Sequence, residues 1–534
     1  MAEQNIFING KVLMNDNFNS FITQNGLIKK IGPKKELLEV RDQDTEIIDL
    51  KGRYILPSFT DGHLHYFYYA LQKNSVNLKN CETIEEVFDK IRNQTSKSKE
   101  NDWITVINWD QEKFGGKVNL DRDILDKISK KIPILVKRRC LHIGFVNSKA
   151  LELAQINKDT PDPEGGKILR NKAGFPTGVL QDESISIVDD LVMEKQRNKF
   201  KKIIQNSCKE FLSQGITSIH TDDLWQKKYR EDIYKSYLEL AENNELPLDI
   251  TLQLRVSEKE DFAFHQKIRK ELKGVKNLNT GPVKFMFDGS LGGRTAALRK
   301  PYRDDSTTKG ELLFKKDKLE SLVDTAYQLG FQPAIHAIGI RAVDIVTKIY
   351  ENLNKKYQRK KLRPIIVHAS MIDDKLINRI KKNNIVLSVQ PTFISSDYQI
   401  ADKRLGKRRA KNLYRMRSLI EKGIPLAGSS DAPVEEINPL LGVYASIQRK
   451  EPDKDSMESW QPNETIDMKK ALQLYTTGPA YQNFEEDEKG SIKVGQKADF
   501  ITFKENLLNL TPKELLRQRV KEVYINGQLI LANQ

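Results

Sequence analysis

Two short stretches, "QPAIHAIG" at residues 332–339 and "RPIIVHAS" at residues 363–370, each form an apolar, strand-like run that ends near a histidine. A helical stretch separates the two runs. This alternation is typical of parallel α/β folds, in which functional side chains gather at the carboxyl ends of the strands. The two stretches therefore predict that His336 and His368 lie at the same end of a parallel sheet.

The same alternation extends outward in both directions. Together with the run that ends in "HLH" at residues 63–65, five further strand-like runs bring the number to eight, and they lie at residues 215–223, 248–256, 283–289, 385–393 and 424–432. Eight parallel strands separated by helices predict an α/β fold, a (β/α)8 TIM-like barrel.

Both ends of the chain differ from this central region. They consist of short strand-like runs with Asn-Gly pairs, the strongest hairpin dipeptides, at Asn9-Gly10, Asn25-Gly26 and Asn526-Gly527. Because chain termini often lie close together, the ends predict one small composite β domain, a β-sandwich, from residues 1–56 and 489–534.

Residues 57–488 are then assigned to the barrel. Within this range, residues 70–200 do not show the regular alternation of barrel strands and helices. They contain strand-like runs of their own, "WITVINWD" and "IPILVKRR", and a Gly/Pro-rich stretch. We interpret this segment as a large insertion after barrel strand 1. Long insertions at the mouth of a barrel usually shape the substrate pocket.

The composition limits the compartment. Hydrophobic residues make up 38% and charged residues 30% of the chain, and no apolar run approaches the roughly 18 residues that cross a membrane. The first residues show no secretion signal. The three cysteines, Cys81, Cys140 and Cys208, are too scattered for a disulfide framework. We therefore predict a cytoplasmic protein with no membrane partner; the sequence leaves the oligomeric state open, a homo-oligomer included.

The net charge of +15 raises nucleic acid as a partner. The densest basic segments lie at residues 355–364 and 402–417, but the 73 acidic residues are mixed through most of the chain. The sequence has no zinc-finger or RNA-recognition signature. A solvated basic surface is thus favoured over a specific nucleic-acid site, and a small molecule is the expected substrate.

Histidine is rare, with seven in 534 residues, yet His63 and His65 lie two positions apart. In a strand, such residues project to the same side. With His336 and His368 at the ends of two consecutive strands and Asp431 at the end of the last strand, which closes beside the first, the barrel mouth would hold nitrogen and oxygen donors. This donor set suits zinc or another divalent first-row metal.

The motifs that carry this pattern identify the chain as similar to the amidohydrolase superfamily. It resembles the family 3 branch of metal-dependent hydrolases, a group that includes N-substituted formamide deformylase. The resemblance runs from about residue 5 to residue 530. The matching stretches are "LPSFTDGHLH", "GITSIHTDD", "VKFMFDGSLGGRTAAL", "QPAIHAIG", "VHAS", "SVQPTF", "LAGSSDAPVEEINPLLG", "ALQLYTTGPA" and "GSIKVGQKADFITF".

The resemblance implies a role for each matching residue. His63 and His65 would bind one metal, His336 and His368 a second, and Lys284, carboxylated on its amine, would bridge the two. Asp431 would ligate metal and act as the proton shuttle. A free ammonium cannot ligate a cation, whereas its carbamate is an anionic oxygen donor. An alternative is that Lys284 forms an ion pair with Asp288 or another acid.

The implied function is hydrolysis of a carbon–nitrogen bond in a non-peptide amide, a formamide or a cyclic amide. Metal ions lower the pKa of a bound water and polarise the scissile carbonyl. Asp431 would take the proton of the water and pass it to the leaving nitrogen. One or two divalent ions, with zinc as the expected metal, would serve as cofactors.

Two further residues are candidate substrate contacts. His142 lies in "RRCLHIGFVNSKAL", a segment that the family also contains, where it is expected to reach toward the substrate; a structural histidine is the alternative. Arg294 follows a glycine-rich turn in "GSLGGRTAA" and is a candidate for binding a substrate anion, with a structural salt bridge as the alternative. We interpret His220 as structural and His265 as a helix-surface residue.

The chain departs from the usual sequence pattern of the family at three positions. Ile340 and Val367 are not predicted ligands, but they are expected to alter the surroundings that orient the ligands and tune metal affinity. Cys140, where the family often has an aspartate, puts the substrate preference in doubt. Two rival functions follow. A mononuclear deaminase on the same fold would favour a glutamate three residues after the histidine of strand 5, where this chain has Gly339. A non-catalytic binding protein on the same scaffold is the other.

Overall fold

The computed structural model describes residues 4–14, 18–41, 45–100, 102–114, 120–138, 143–163, 165–358, 362–452 and 458–533. The chain divides into two compact units. One unit comprises Met1–Tyr66 with Ser207–Gln534, and the other comprises Phe67–Asn206.

Strands and helices alternate along the described residues. The strands are β1 (Gln4–Ile8), β2 (Lys11–Val12), β3 (Ser20–Gln24), β4 (Leu27–Gly32), β5 (Glu46–Asp49), β6 (Tyr54–Pro57), β7 (Phe59–Leu64), β8 (Val76–Asn77), β9 (Ile104–Trp109), β10 (Ile134–Arg138), β11 (Ile143–Val146), β12 (Gly166–Arg170), β13 (Pro176–Asp182), β14 (Ile216–Thr221), β15 (Asp249–Arg255), β16 (Leu278–Met286), β17 (Pro333–Ala337), β18 (Ile365–His368), β19 (Val386–Val389), β20 (Leu426–Gly428), β21 (Phe500–Phe503), β22 (Glu522–Ile525) and β23 (Gln528–Ala532).

The α-helices account for most of the remaining regular structure. They are α1 (Lys34–Glu39), α2 (Tyr66–Lys73), α3 (Ile84–Thr95), α4 (Arg122–Asp126), α5 (Ser148–Leu153), α6 (Ser186–Gln196), α7 (Phe200–Ser213), α8 (Arg230–Glu242), α9 (Asp261–Glu271), α10 (Lys316–Gln328), α11 (Ile340–Tyr357), α12 (Asp374–Lys382), α13 (Phe393–Leu405), α14 (Lys407–Ala410), α15 (Met416–Glu421), α16 (Pro439–Gln448), α17 (Met468–Gln473), α18 (Thr477–Gln482) and α19 (Pro512–Arg517).

The first unit contains the predicted barrel. Its eight-stranded sheet has the order β7-β14-β15-β16-β17-β18-β19-β20, and every adjacent pair is parallel. Each strand lies within the run that the sequence assigns to it, except that β16 begins earlier, at Leu278. The predicted α/β barrel is therefore confirmed.

Backbone contacts bring the first and last strands together at their carboxyl ends. The amide of Asp431 donates to the carbonyl of His63 over 3.0 Å, and the amide of His65 donates to the carbonyl of Ala432 over 2.8 Å. Gly62 permits this approach, because a Cβ atom at this position would lie 2.9 Å from the carbonyl oxygen of Gly428. The closure places the two histidines beside Asp431.

The ends of the chain form two further sheets of the same unit. Their orders are β4-β3-β1-β5 and β2-β6-β21-β22-β23, so that the N-terminal β6 pairs with the C-terminal β21. Aromatic side chains from both sheets, among them Phe7, Phe21, Phe500 and Tyr524, pack in one core. The predicted β-sandwich built from both termini is thus present.

Two local predictions at the N-terminus need correction. Asn25-Gly26 and Asn526-Gly527 form the predicted hairpin turns, but Asn9-Gly10 does not, because β1 pairs with β3 and β5 while β2 pairs with β6 of the other sheet. The second correction concerns the run that ends in "HLH", for which the sequence predicts one barrel strand. The preceding residues "RYILP" belong to the five-stranded sheet as β6, and the barrel begins with β7.

The second unit contains a six-stranded sheet with the order β12-β13-β11-β10-β9-β8. Its strands β9 and β10 correspond to the runs "WITVINWD" and "IPILVKRR". The apolar side chains form two clusters, one around Trp109 and Phe145 and one around Leu135 and Leu180. These residues therefore have a hydrophobic core of their own.

No helix of the described residues is long and apolar enough to cross a membrane. Cys81 and Cys208 are buried and form no disulfide among the described residues, and Cys140 lies outside these residues.

Candidate metal centre

Three of the predicted metal ligands meet at the closure of the barrel. One donor atom each of His63, His65 and Asp431 lies within 4.8 Å of the other two. The Oδ1 atom of Asp431 is 3.4 Å from Nε2 of His63 and 3.5 Å from Nε2 of His65. Two imidazoles and one carboxylate therefore converge on one point.

Hydrogen bonds on the far side of each ring set its orientation. Nδ1 of His63 lies 3.0 Å from Oε1 of Gln253, and Nδ1 of His65 lies 2.7 Å from the backbone carbonyl of Asp222. Because both partners are acceptors, each Nδ1 carries the proton and donates it. The lone pair of each Nε2 then faces Asp431, as a metal ligand requires.

The other two strand-end histidines lie beside this cluster. The rings of His336 and His368 are 4.5 Å apart between centroids, and the ring of His368 is 5.9 Å from that of His63. Nδ1 of His368 donates to Oε1 of Gln390 over 2.7 Å, which leaves its Nε2 as the ligand atom. In His336 it is Nε2 that contacts a carbonyl, that of Gly289 at 3.4 Å.

Lys284 lies in the same group of side chains. Its Nζ atom is 3.1 Å from Nε2 of His63, and the residue is 1% exposed. Among the described residues no ion pair joins Lys284 to a carboxylate. Asp288, the acid considered as its partner, instead accepts hydrogen bonds from the amides of Ala297, Ile338 and Gly339. The alternative of a Lys284–Asp288 ion pair is therefore not what the structure shows.

Burial governs the charges of this centre. Desolvation lowers the pKa of His336 and of His368 to about 3, so both rings are neutral at pH 7. Burial also lowers the pKa of the Lys284 amine to about 8. Burial alone would raise the pKa of Asp431, but the contact with His65, 3.5 Å away, and the positive charge of Lys284 lower it. Burial also lowers the pKa of His63, whereas the carboxylate of Asp431 outweighs burial and raises the pKa of His65. The centre thus combines the neutral imidazoles of His63, His336 and His368 with an anionic carboxylate.

These donors fit a divalent cation. The Oδ1 atom of Asp431 is buried and has no hydrogen-bond partner among the described residues, although an anionic oxygen in such a place normally has one. Two imidazole lone pairs point toward the same oxygen. A cation at this point would satisfy all three atoms at once, and nitrogen and oxygen donors are those that zinc accepts.

The remaining predicted residues lie elsewhere. Arg294 forms an ion pair with Asp304, with Nη2 3.0 Å from Oδ2. His142 lies outside the described residues. His220 is buried, 3.7 Å from Glu485, in keeping with a structural role. The prediction that His265 lies on a helix surface is wrong, because it is fully buried and its Nε2 contacts the carbonyl of Arg255 at 2.8 Å.

Val367 and Ile340, two of the residues that depart from the usual sequence pattern of the family, have no ligand role in the structure. Val367 packs with Ala334, Ile365 and Val386 in a small apolar cluster. Ile340 is buried at the start of α11. Neither side chain offers a donor atom to a cation.

Sequence reasoning missed the residues that support the ligands from behind. Gln253 contacts His63 through Oε1 and places its Nε2 3.4 Å from the carbonyl of Gly62. The backbone carbonyl of Asp222 accepts a hydrogen bond from Nδ1 of His65. The side chain of Asp222 forms a buried ion pair with Arg255 at 2.5 Å. The one signal in the sequence was a glutamine inside the buried apolar run "LDITLQLRV".

Replacing Gln253 with leucine is expected to weaken metal binding by about 10–100-fold, because His63 loses the acceptor that fixes its tautomer. Gln253→Glu keeps an oxygen at this position and should stay close to the parent. Competition against a chelator, read by elemental mass spectrometry, measures the difference. Equal affinities in the leucine and glutamate variants would show that Gln253 does not act through His63.

The chain is similar to known proteins over nearly its whole length. A family model described as "Amidohydrolase family" matches residues 46–531. The chain is 30% identical to the putative amidohydrolase YtcJ of Bacillus subtilis, over 96% of either chain. It is 23% identical to the N-substituted formamide deformylase of Arthrobacter pascens, over 95% of this chain and 94% of that one.

A solved structure adds the same likeness in three dimensions. An uncharacterized metal-dependent hydrolase from Pyrococcus horikoshii superposes with a TM-score of 0.79 and 27% identity, over 96% of this chain and 99% of the other. The family model, the relatives and the barrel with its histidine and aspartate donors lead to one conclusion: the chain belongs to the amidohydrolase family and has the fold of its metal-dependent hydrolases.

Proposed function

We propose that the protein is a metal-dependent hydrolase that cleaves a carbon–nitrogen bond other than a peptide bond, in a non-peptide amide, a formamide or a cyclic amide. The observation that carries the proposal is the buried, unpartnered Oδ1 atom of Asp431, with Nε2 of His63 and of His65 within 3.5 Å. The relative that is named as a formamide deformylase supports the choice of bond.

His63, His65 and Asp431 would hold one divalent cation, with zinc as the expected metal. His336 and His368 would hold a second. Lys284 would contribute to both as a carbamate, formed when its neutral amine adds to carbon dioxide and releases a proton. Two observations support this role. No carboxylate of the described residues forms an ion pair with Lys284, and its Nζ atom lies 3.1 Å from Nε2 of His63.

Cations bound there would supply Lewis acidity, which lowers the pKa of water toward about 7 and polarises a carbonyl oxygen. The chain itself supplies proton transfer. The carboxylate of Asp431 is anionic and buried, so it can accept the proton of the attacking water. Asp431 then returns this proton to the leaving nitrogen. Gln253, Gln390 and the carbonyl of Asp222 keep the histidines in the orientation that this requires.

The backbone argues against the deaminase alternative. That chemistry would favour a glutamate at position 339, but a Cβ atom on Gly339 would lie 2.1 Å from the carbonyl oxygen of Ala297. Contact at this distance with backbone leaves no room for a side chain. The amide of Gly339 also donates to Asp288 over 2.8 Å, which fixes this turn.

The test is to purify the protein with zinc and bicarbonate, measure metal per chain by elemental mass spectrometry, and assay it on formamides, linear amides, cyclic amides and amino-heterocycles. We expect about two metals per chain and hydrolysis of at least one amide class. One metal with ammonia released from an amino-heterocycle would establish the deaminase instead. Absence of metal and of hydrolysis would favour a non-catalytic scaffold.

A further inference from the structure

The unit that contains the barrel has a cavity lined by side chains to which the proposed function assigns no role. It has a volume of about 800 Å³ and lies among residues 298–303, the start of α11, Met371, Asp373 and residues 405–412. None of the proposed metal ligands lines it. Its size falls in the range of about 300–1,000 Å³ typical of small-molecule sites.

The floor of this cavity is apolar. Leu298, Ile340, Met371 and Leu405 form it, and each is less than 10% exposed, with values of 1%, 6%, 3% and 3%. The floor would receive the apolar part of a ligand, since burying apolar surface is favourable and needs no specific partner.

The rim is cationic. Lys300, Arg303, Lys407 and Arg408 line the cavity and are exposed. Within the part of the chain that the structure describes, no ion pair joins any of these four to a carboxylate. Asp373 is the only acid among the described lining residues. The four positively charged side chains along this cavity repel each other, and an anion bound between them would relieve that repulsion.

The other cations of the cavity are already neutralised or held. Arg299 pairs with Asp373 at 2.6 Å and with Asp344 at 3.0 Å. The guanidinium of Arg409 donates to the carbonyls of Pro301 at 2.7 Å and Leu405 at 2.7 Å. Arg303 of the rim also donates to a backbone carbonyl, that of Asp402, over 3.3 Å. Lys300, Lys407 and Arg408 are the rim cations for which the described residues show neither an ion pair nor a side-chain hydrogen bond.

The rim is formed by two basic segments, residues 299–303 and 404–409, and hydrogen bonds connect them directly. The amide of Arg303 donates to the carbonyl of Arg404 over 2.8 Å, and Arg409 reaches Pro301 as described above. Segments about a hundred residues apart in sequence thus present one preformed surface. Preformed sites avoid part of the ordering cost of binding.

We propose that this cationic cavity binds a small organic anion, an alkyl or aryl phosphate or carboxylate. Its apolar body would lie on Leu298, Ile340, Met371 and Leu405, and its charged group would lie among Lys300, Arg303, Lys407 and Arg408. None of the proposed metal ligands lines the cavity, so the proposal does not depend on the hydrolase reaction.

The probe is hexyl phosphate, with inorganic phosphate and hexanol as its two halves, titrated calorimetrically into the metal-loaded protein. We expect one saturable site for hexyl phosphate, weaker binding of inorganic phosphate, and none of hexanol. The double variant Lys407→Glu/Arg408→Glu should weaken binding by at least about tenfold, and rising salt should weaken it in the parent. Lys300→Glu should act in the same direction.

The matched control is Lys29→Glu/Lys30→Glu, which makes the same change in net charge on exposed residues of β4. It should bind hexyl phosphate like the parent. Because all the substituted residues are exposed, each variant should keep the thermal midpoint of the parent. Equal binding by the parent and the Lys407/Arg408 variant would overturn the proposal, since it would place the anion at the metal centre or on no specific site. Binding of a single-stranded oligodeoxynucleotide without binding of hexyl phosphate would also overturn it.

Discussion

Asp431→Asn is expected to lower kcat by about 10³-fold on whichever amide substrate the parent hydrolyses. The substitution keeps the size and shape of the side chain but removes the charge. An amide cannot accept the proton of the attacking water or return it to the leaving nitrogen. Asp431 is buried at the closure of the barrel, and its Oδ1 atom has no hydrogen-bond partner among the described residues, so the unsubstituted carboxylate is available to accept a proton.

Metal content must be measured on the same sample, because Asp431 is also a proposed ligand. A large loss of kcat with at least one metal retained assigns proton transfer to Asp431; a loss of both assigns mainly a ligand role. Asp344→Asn is the matched control. This substitution removes a carboxylate of α11 that forms ion pairs with Arg299 and Arg379. Asp344 is not one of the proposed metal ligands, so kcat should be unchanged. A value of kcat for Asp431→Asn within about threefold of the parent would remove Asp431 from the mechanism.

The barrel could be predicted from the sequence because its signal is local and repeated. Each strand is a short apolar run, and each is followed by a polar strand-end residue or a helix. The Asn25-Gly26 hairpin is local in the same way. The turn at Asn9-Gly10 misled the prediction because the partners of β1, which are β3 and β5, are chosen by the packing of the sandwich and not by the turn.

The convergence of the proposed metal ligands could be predicted for a related reason. His63, His65, His336 and His368 lie at or near the carboxyl ends of barrel strands, and the rule that such ends converge needs no knowledge of contacts. Asp431 follows the last strand, and closure of the barrel places it beside the first.

The residues that orient these ligands could not be predicted. Gln253 is 190 positions from His63, and nothing near it in the sequence distinguishes it from a glutamine buried for another reason. His265 is buried by a contact with the carbonyl of Arg255, which only the packing of α9 on the barrel creates. Long-range contacts of this kind decide orientation and burial, and they leave no periodic pattern in the sequence.

The largest structural effect is expected at Lys284. Lys284→Ala and Lys284→Met should both lower the metal content from about two per chain and reduce kcat by about 10³-fold, because neither side chain can form a carbamate. Lys284 is buried beside His63, and no carboxylate of the described residues forms an ion pair with it, so an unmodified ammonium there would repel the cations that the histidines are proposed to bind. The parent, enriched with 13C-bicarbonate, should show a carbamate carbon resonance that both variants lack.

The two variants differ in the space that they leave. Lys284→Ala opens a cavity next to His63, whereas methionine fills most of the volume of the lysine side chain. A short carboxylate such as propionate can enter that cavity and present two anionic oxygens where the carbamate would have been. Added propionate should therefore restore metal binding and part of kcat to Lys284→Ala and do nothing for Lys284→Met. Full metal content in Lys284→Met without bicarbonate would show that the centre does not use a carbamate, and the histidines and Asp431 alone would then have to account for metal binding.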